Sequence, residues 1–356
     1  HMASQTLKVY EELLNSLNIL VIKISATGDV VLVTASLKAL REKYPRAKIT
    51  CLVGKESRKV LQNCPYLDGL IIDDTRQNSK GWIKAIRLSH RLRKYRFDKI
   101  VDFQNSRKSH LLAFLSFPRE SYGYDNGKWS GLLTNPLKHY RDDIPAVDHQ
   151  FQLLQTMGIT PPKELALELW PSEKDRKYVQ ELLDAEWLGN VTRIVGINIA
   201  ASQKWQTKNW PMEHAARLCD LLSGKSIRVL ITGMEKDKPL VEQLLARTKS
   251  KPAVFTGRTD ILQLAALIER CKVYITPDSA PLHVAAAMRT PLVAFFGPTD
   301  SQRHRPPAKN MVILEKKPAC APCYSPRCLI MTHVCMRDIT PDEVAGKVEM
   351  LMGVQP

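Results

Sequence analysis

Asp278 and Ser279 follow an apolar run, Val273 to Ile275, and precede a helix-forming stretch with Pro281 in its first turn and Leu282 to Met288 beyond. Proline is tolerated there because a first-turn N–H has no intrahelical partner. Ser279 or Asp278 is expected to cap the helix. The N–H groups past the cap, together with the helix dipole, make a seat for a phosphate or a nucleotide diphosphate. Ala280 lies at that helix start, and His283, one turn in, is placed to meet the same ligand. A second chemical group is Asp29, beside Gly28 at the end of another apolar strand. A carboxylate there could take the proton of an acceptor hydroxyl, or it could only complement a helix dipole. Further on, Ala200-Ala201-Ser202 end a strand, with Lys204, Lys208 and Trp210-Pro211 just after it. Small residues expose backbone donors, and a lysine can neutralise a phosphate. Thr232-Gly233 end the next strand, with Glu235 beyond them, where a carboxylate can accept from both hydroxyls of a ribose.

The elements that must hold these groups alternate. Asn18 to Ile24, Lys48 to Val53, Leu70 to Asp73 and Lys99 to Phe103 read as strands; Val30 to Lys43 and Trp82 to Tyr95 read as helices. The second half repeats the rhythm, with strands at Ile194 to Ile199, Arg228 to Thr232 and Ala253 to Phe255. Its helices are Met212 to Ser223, Lys238 to Ala246 and Ile261 to Glu269. This spacing predicts βαβ units and parallel sheets. Prolines 161, 162 and 171 lie in a polar stretch suited to a linker. The expected organisation is α/β: an acceptor-binding domain over residues 1–170, a nucleotide-sugar-binding domain over 171–340, and a C-terminal helix over 341–356 that could pack back toward the first domain. Ligands of such sheets bind at the carboxyl ends of the strands.

The chain has 356 residues, enough for two domains, and a net charge of +16. That charge favours an anionic partner: nucleic acid, an anionic membrane face or a phosphorylated glycolipid. No apolar run approaches the ~20 residues of a membrane span, and no secretory leader is recognisable, so the expected location is the cytoplasm. Neither G-x-G-x-x-G nor G-x-x-x-x-G-K-[ST] occurs, which removes the main support for a nicotinamide or ATP-hydrolysing enzyme.

Taken in order, several short motifs form a pattern. Ser25-x-x-Gly28-Asp29 is followed by Asp102-x-Gln104, then by Ala201-Ser202 with Lys208, Trp210 and Pro211. Thr232-Gly233, Asp278-Ser279-x-x-x-His283 and Phe296 to Thr299 complete it. This pattern resembles the ADP-heptose heptosyltransferases of glycosyltransferase family nine, over about Asn18 to Val344. The resemblance implies a GT-B fold, in which two Rossmann-like domains face each other across a cleft. It also implies an inverting, metal-independent transfer of heptose from ADP-heptose to a lipopolysaccharide inner-core acceptor. By that similarity Asp29 is the general base, and Lys208, helped by Ser202 and Ser279, stabilises the departing diphosphate. Glu235 holds the ribose, and Thr232, Gly233, Asp278, Ala280 and His283 line the donor. Ala280 departs from the glycine that many relatives carry. On the acceptor side, Gln104 comes from the motif. Arg107, Lys108 and His110 are basic and could meet an acidic acceptor sugar, as could the helix around Lys84, Arg87, Arg91, Arg93 and Lys94. That helix would also suit the inner membrane leaflet.

Cys320, Cys323, Cys328 and Cys335 are clustered; four thiolates in a reducing compartment suit a structural zinc or iron, although free or paired cysteines fit the spacing as well. No cofactor is expected for catalysis. The alternative in the same class is a protein heptosyltransferase acting on an autotransporter. A nucleic-acid-binding protein is the other class, weakened because the basic residues are not interleaved with stacking aromatics.

Overall fold

The computed structural model describes residues 17–74, 81–202 and 204–353. The chain divides into two compact units, residues 1–165 and 166–356. That division falls a few residues before the expected boundary.

The first unit is a six-stranded parallel sheet of order β3-β2-β1-β4-β5-β6. Its strands are β1 (Asn18–Ile22), β2 (Lys48–Gly54), β3 (Gly69–Asp73), β4 (Lys99–Asp102), β5 (Glu120–Tyr124) and β6 (Asn135–Leu137). Its helices are α1 (Thr27–Lys43), α2 (Gly81–Arg93), α3 (Arg107–Leu115) and α4 (Ala146–Gln155). From Ile19 to Ile22, β1 is a continuous buried apolar run, as expected where helices cover both faces of a parallel sheet. One face is covered by α2 and α3, whose Ala85, Leu88, Leu92, Leu112 and Ala113 join Leu20, Ile22 and Leu52 in one core.

The second unit repeats the architecture with the order β12-β11-β10-β7-β8-β9. Its strands are β7 (Ile194–Asn198), β8 (Arg228–Thr232), β9 (Ala253–Val254), β10 (Val273–Pro277), β11 (Leu292–Phe296) and β12 (Met311–Glu315). Its longer helices are α5 (Glu173–Ala185), α6 (Met212–Gly224), α7 (Lys238–Leu245), α8 (Ile261–Glu269), α9 (Ala280–Ala287) and α10 (Pro341–Leu351). Every residue of α9 from Leu282 to Ala287 is buried, which is why that helix carries no polar stripe. The C-terminal helix, α10, places Val344, Ala345 and Val348 in the second unit's core with Cys219 and Leu222, and Arg217–Asp342 joins it to α6.

Each sheet has one place where the chain order reverses: between β1 and β4 in the first unit, and between β7 and β10 in the second. Open α/β sheets bind ligands in the crevice at the carboxyl ends of such strand pairs. Asp29 and Gln104 follow β1 and β4; Ser202 and Asp278 follow β7 and β10.

Candidate active site

In the second unit, the loop after β10 carries Asp278 into near-complete burial. Its Oδ2 accepts from Lys208 Nζ at 2.6 Å and from the Thr299 hydroxyl at 2.7 Å. Burial alone would raise the carboxyl's pKa. The Lys208 ammonium, its hydrogen bond and the Thr299 hydroxyl outweigh that and hold Asp278 below the ordinary carboxylate range. Lys208 Nζ also stands 5.0 Å from the centre of the Trp205 ring, within cation–π reach. The outcome is a lysine whose charge is fixed in place beside the start of α9.

The cap of α9 differs from the expectation. Ser279 occupies the N-cap position with extended backbone, but its side chain makes no cap bond. Its hydroxyl turns inward instead, donating to Pro277 O at 3.2 Å and lying 3.2 Å from Asn198 Nδ2. Asn198, at the end of β7, ties the ends of β7 and β10 together: its amide also donates to Ala200 O and lies 3.1 Å from Thr276 Oγ1. Asn209 Oδ1 accepts from Ala201 N at 2.8 Å, so the turn leading to the exposed Ser202 is pinned from the Lys208 side.

Other donor-side expectations divide. Thr232 is buried, 2.5 Å from the Tyr274 hydroxyl, and shapes the strand end rather than offering its side chain to a ligand. Gly233 leaves its carbonyl to Gly257 N. Glu235 is exposed and pairs with Lys238 at 2.5 Å. Its carboxylate lies over Gly257, where a Cβ would come within 2.1 Å of Oε2 and where φ is +76°, so only glycine fits. Ala280 opens α9 and His283 is buried within it.

The loop carrying Lys208 is clamped by the cysteine-bearing segment. The Thr207 hydroxyl donates to Ser325 O at 2.6 Å, and Thr207 O accepts from His333 Nε2 at 2.7 Å. Tyr324 N donates to Pro298 O, next to Thr299, and Trp210 Nε1 donates to Ile339 O. The cysteines themselves do not meet as ligands. Cys320 and Cys323 are exposed, whereas Cys335 is buried where a Cβ on Gly297 would come within 3.0 Å of its sulfur. Burial first, then the neighbouring thiols of Cys323, Cys320 and Cys328, push the Cys335 thiol up to about 11. No three His, Cys, Asp or Glu side chains are placed to hold a metal among the described residues. Among the described residues the four thiols are not gathered as a zinc or iron ligand set.

In the first unit, Asp29 sits in the first turn of α1 with about half of its side chain in solvent, and Oδ2 accepts from Lys23 Nζ at 3.1 Å. Gln104 is drawn into the same loop. Its Oε1 accepts from both Ile24 N and Ser25 N at 2.9 Å, which leaves only its NH2 for an acceptor. Asp102 makes the turn that aims it, with Oδ1 accepting from Gln104 N and Asn105 N. Behind Asp102 lies His110, fully buried, its Nε2 3.5 Å from Asp102 Oδ2 and its Nδ1–H donating to Lys128 O. Burial raises the Asp102 carboxyl against the opposing pull of His110. His110 is thus a buried support and not a surface contact for an acidic sugar. Lys108 is likewise engaged, 2.5 Å from the buried Asp73, while Arg107 is exposed at the start of α3. Gly54 packs against the same loop, where a Cβ would lie 2.4 Å from Ile24 O. A pocket of about 150 Å³ opens here, lined by Ser25, Thr27, Lys55, Ser57, Asp73 and Asp74 among others.

A sequence profile matches the greater part of the chain, from α2 through the segment that carries Cys320, Cys323 and Cys328. Glycosyltransferase family 9 (heptosyltransferase) covers residues 85–332. The chain belongs to that family. It is therefore a glycosyltransferase, as the motif order implied. Lipopolysaccharide heptosyltransferase 2 of Salmonella typhimurium is 28% identical over 291 residues, 80% of this chain and 83% of the relative. Among solved structures, the glycosyl transferase family 9 protein of Veillonella parvula superposes with a TM-score of 0.87 at 22% identity, covering 95% of this chain and 98% of its own. The ADP-heptose lps heptosyltransferase II of E. coli gives 0.77 at 24% identity over 94% and 98%. These likenesses show the shared GT-B architecture of family 9.

Proposed function

We propose that this family 9 enzyme transfers heptose from ADP-heptose to an acceptor sugar of the lipopolysaccharide inner core, with inversion at the anomeric carbon. The names of its relatives support the donor and the acceptor class. In this reading the acceptor hydroxyl oxygen attacks the anomeric carbon as the bond from that carbon to the diphosphate oxygen breaks. Asp29 takes the hydroxyl proton. Lys23 holds Oδ2, so Oδ1 is the oxygen assigned to the incoming hydroxyl. General-base help of this kind is typically worth ~100- to 10,000-fold.

ADP leaves with growing negative charge, and donors fixed before the reaction stabilise it most. Lys208, Ser202, Ser279 and the N–H groups at Ala280 are assigned to the diphosphate. Glu235 and Gly233 are assigned to the ribose, and Asp278 and His283 to the wall behind the phosphates. Arg107 and the NH2 of Gln104 are assigned to the acceptor. The observation that carries the reading is the Lys208–Asp278–Thr299 network at the end of β10: a buried, immobile positive charge suits a leaving group better than a substrate that must come and go.

The test is mass spectrometry of products after incubation with ADP-heptose and a panel of Kdo-containing, heptose-containing and protein acceptors. The expected outcome is a heptose-sized mass gain on a core glycolipid, with ADP appearing only when acceptor is present. A gain confined to protein acceptors, or ADP release independent of acceptor, would overturn the assignment.

A further inference from the structure

We propose that the paired outer faces of α2 and α3 form a docking surface for an anionic phospholipid bilayer. The two helices lie side by side on one face of the first sheet. Arg93 Nε donates to Leu115 O at 2.6 Å and its guanidinium stacks 4.3 Å from the Phe117 ring centre. Their inner residues belong to the core. Their outer residues do not: Ile86, Phe114 and Phe117 are 46%, 44% and 66% exposed, and Leu111 and Leu115 are half-buried beside them.

Basic side chains border this apolar centre. Arg87, His90, Arg91, Lys94, Arg96 and Arg107 are all exposed. No Asp or Glu occurs between Gly81 and Phe97, or between Arg107 and Pro118. Phe117 is held at φ 52°, a conformation that bulky residues rarely adopt, and it precedes a proline, which restricts it further. The backbone thus carries strain at the residue that presents the most exposed ring of the patch.

An apolar centre bordered by arginine and lysine is what the interface of an anionic bilayer rewards. Phenylalanine and isoleucine enter the headgroup–acyl boundary, while the cations stay among the lipid phosphates. A nucleic acid would use the charge but leave Ile86 and the leucines without a role. This inference deepens the reading of the acceptor as a membrane glycolipid and rests on it for its biological use. Its assay needs neither donor nor acceptor, so docking and transfer can fail separately.

The experiment is sedimentation of the full chain with vesicles of phosphatidylcholine, alone or with about one-third phosphatidylglycerol. Binding is expected only to the anionic vesicles and should weaken about tenfold or more in high salt. Arg87→Glu with Arg91→Glu, and separately Phe114→Ser with Phe117→Ser, should each reduce it about tenfold, with melting temperature as the folding check and ADP-heptose binding unchanged. The charge pair, exposed and remote from the core, keeps the test valid if the phenylalanine pair fails to fold. Equal binding to neutral vesicles, no binding, or binding retained in both variants would overturn the proposal. So would self-association or oligonucleotide binding that the same substitutions abolish while vesicles are ignored.

Discussion

Lys208 and Asp278 meet with 15% and 7% of their side chains exposed, and the carboxylate's second partner is a buried threonine. Lys23 and Asp29 form an ion pair of the same composition, yet Asp29 keeps 52% of its side chain in solvent. The two lysines are similarly buried, Lys23 at 10% exposure, so the pairs differ in the carboxylate: Asp278 is desolvated and held inside, whereas Asp29 stays reachable. A charge that must stabilise the same leaving group on every turnover gains from being fixed. A base that must pass its proton to water after every turnover gains from exposure. In the proposed mechanism this contrast goes with preorganisation at Lys208 and proton exchange at Asp29.

The sharpest way to break this contrast is Asp29→Ala. Turnover should fall ~100- to 10,000-fold, with ADP-heptose affinity kept and melting temperature lowered, because the buried Lys23 ammonium keeps, among the described residues, only the Phe103 carbonyl as partner. Initial rates with calorimetric donor titration would show it; turnover near wild type would remove Asp29 from the mechanism. Lys208→Met should act on both axes, slowing transfer and destabilising the fold by about 3–5 kcal/mol, since it strands a buried carboxylate. Denaturant unfolding should show most of that stability returning when Asp278→Leu is added, while activity does not return. If Lys208→Met is as stable as Lys23→Met, the two pairs do not differ as described.

Gln104→Ala should lower kcat about tenfold, through loss of two hydrogen bonds that hold the Lys23–Ser25 loop, with little change in donor KM. Gln104→Glu keeps an acceptor and should recover part of it; equal loss in both variants would contradict a positioning role. The smallest effect is in acid. The Asp278 carboxyl is depressed in the folded state, so its contribution is complete above the unfolded carboxyl value of about 4. That contribution is lost as pH falls through the lower folded value. The stability gap between the wild type and Asp278→Asn should therefore narrow as pH drops from about 6 to about 3. A gap independent of pH would show that the carboxylate's charge is not what the pair contributes.

Much of the fold could be read from local pattern. Continuous apolar strands and Gly-Asp or Pro-bearing helix starts mark β1, β7, β10, α1 and α9 without any tertiary information. The helix over Arg107–Leu115 was read only as a basic patch, because its apolar side is short and its capping box uses Ser106 and Ser109 instead of an acidic residue. What pattern does not carry is pairing at a distance. Lys208 finds Asp278 seventy residues away, and Gln104 finds Ile24 and Ser25 about eighty away. Both meetings come from strand order, which no single motif encodes. For the same reason no motif shows that the Ser279 hydroxyl meets Asn198, or that Thr232 meets Tyr274 on another strand.

The clamp on Thr207 sets an order of assembly. Lys208, Asp278 and Thr299 leave the ribosome before Tyr324, Ser325, His333 and Ile339, whose groups fasten Thr207, Pro298 and Trp210. Until residues 324–339 are made, the nascent chain holds Lys208 and Asp278 but not the brace that fixes the lysine loop. The second unit can begin to fold from its sheet, yet the loop of Lys208 is braced only once residues 324–339 have been made.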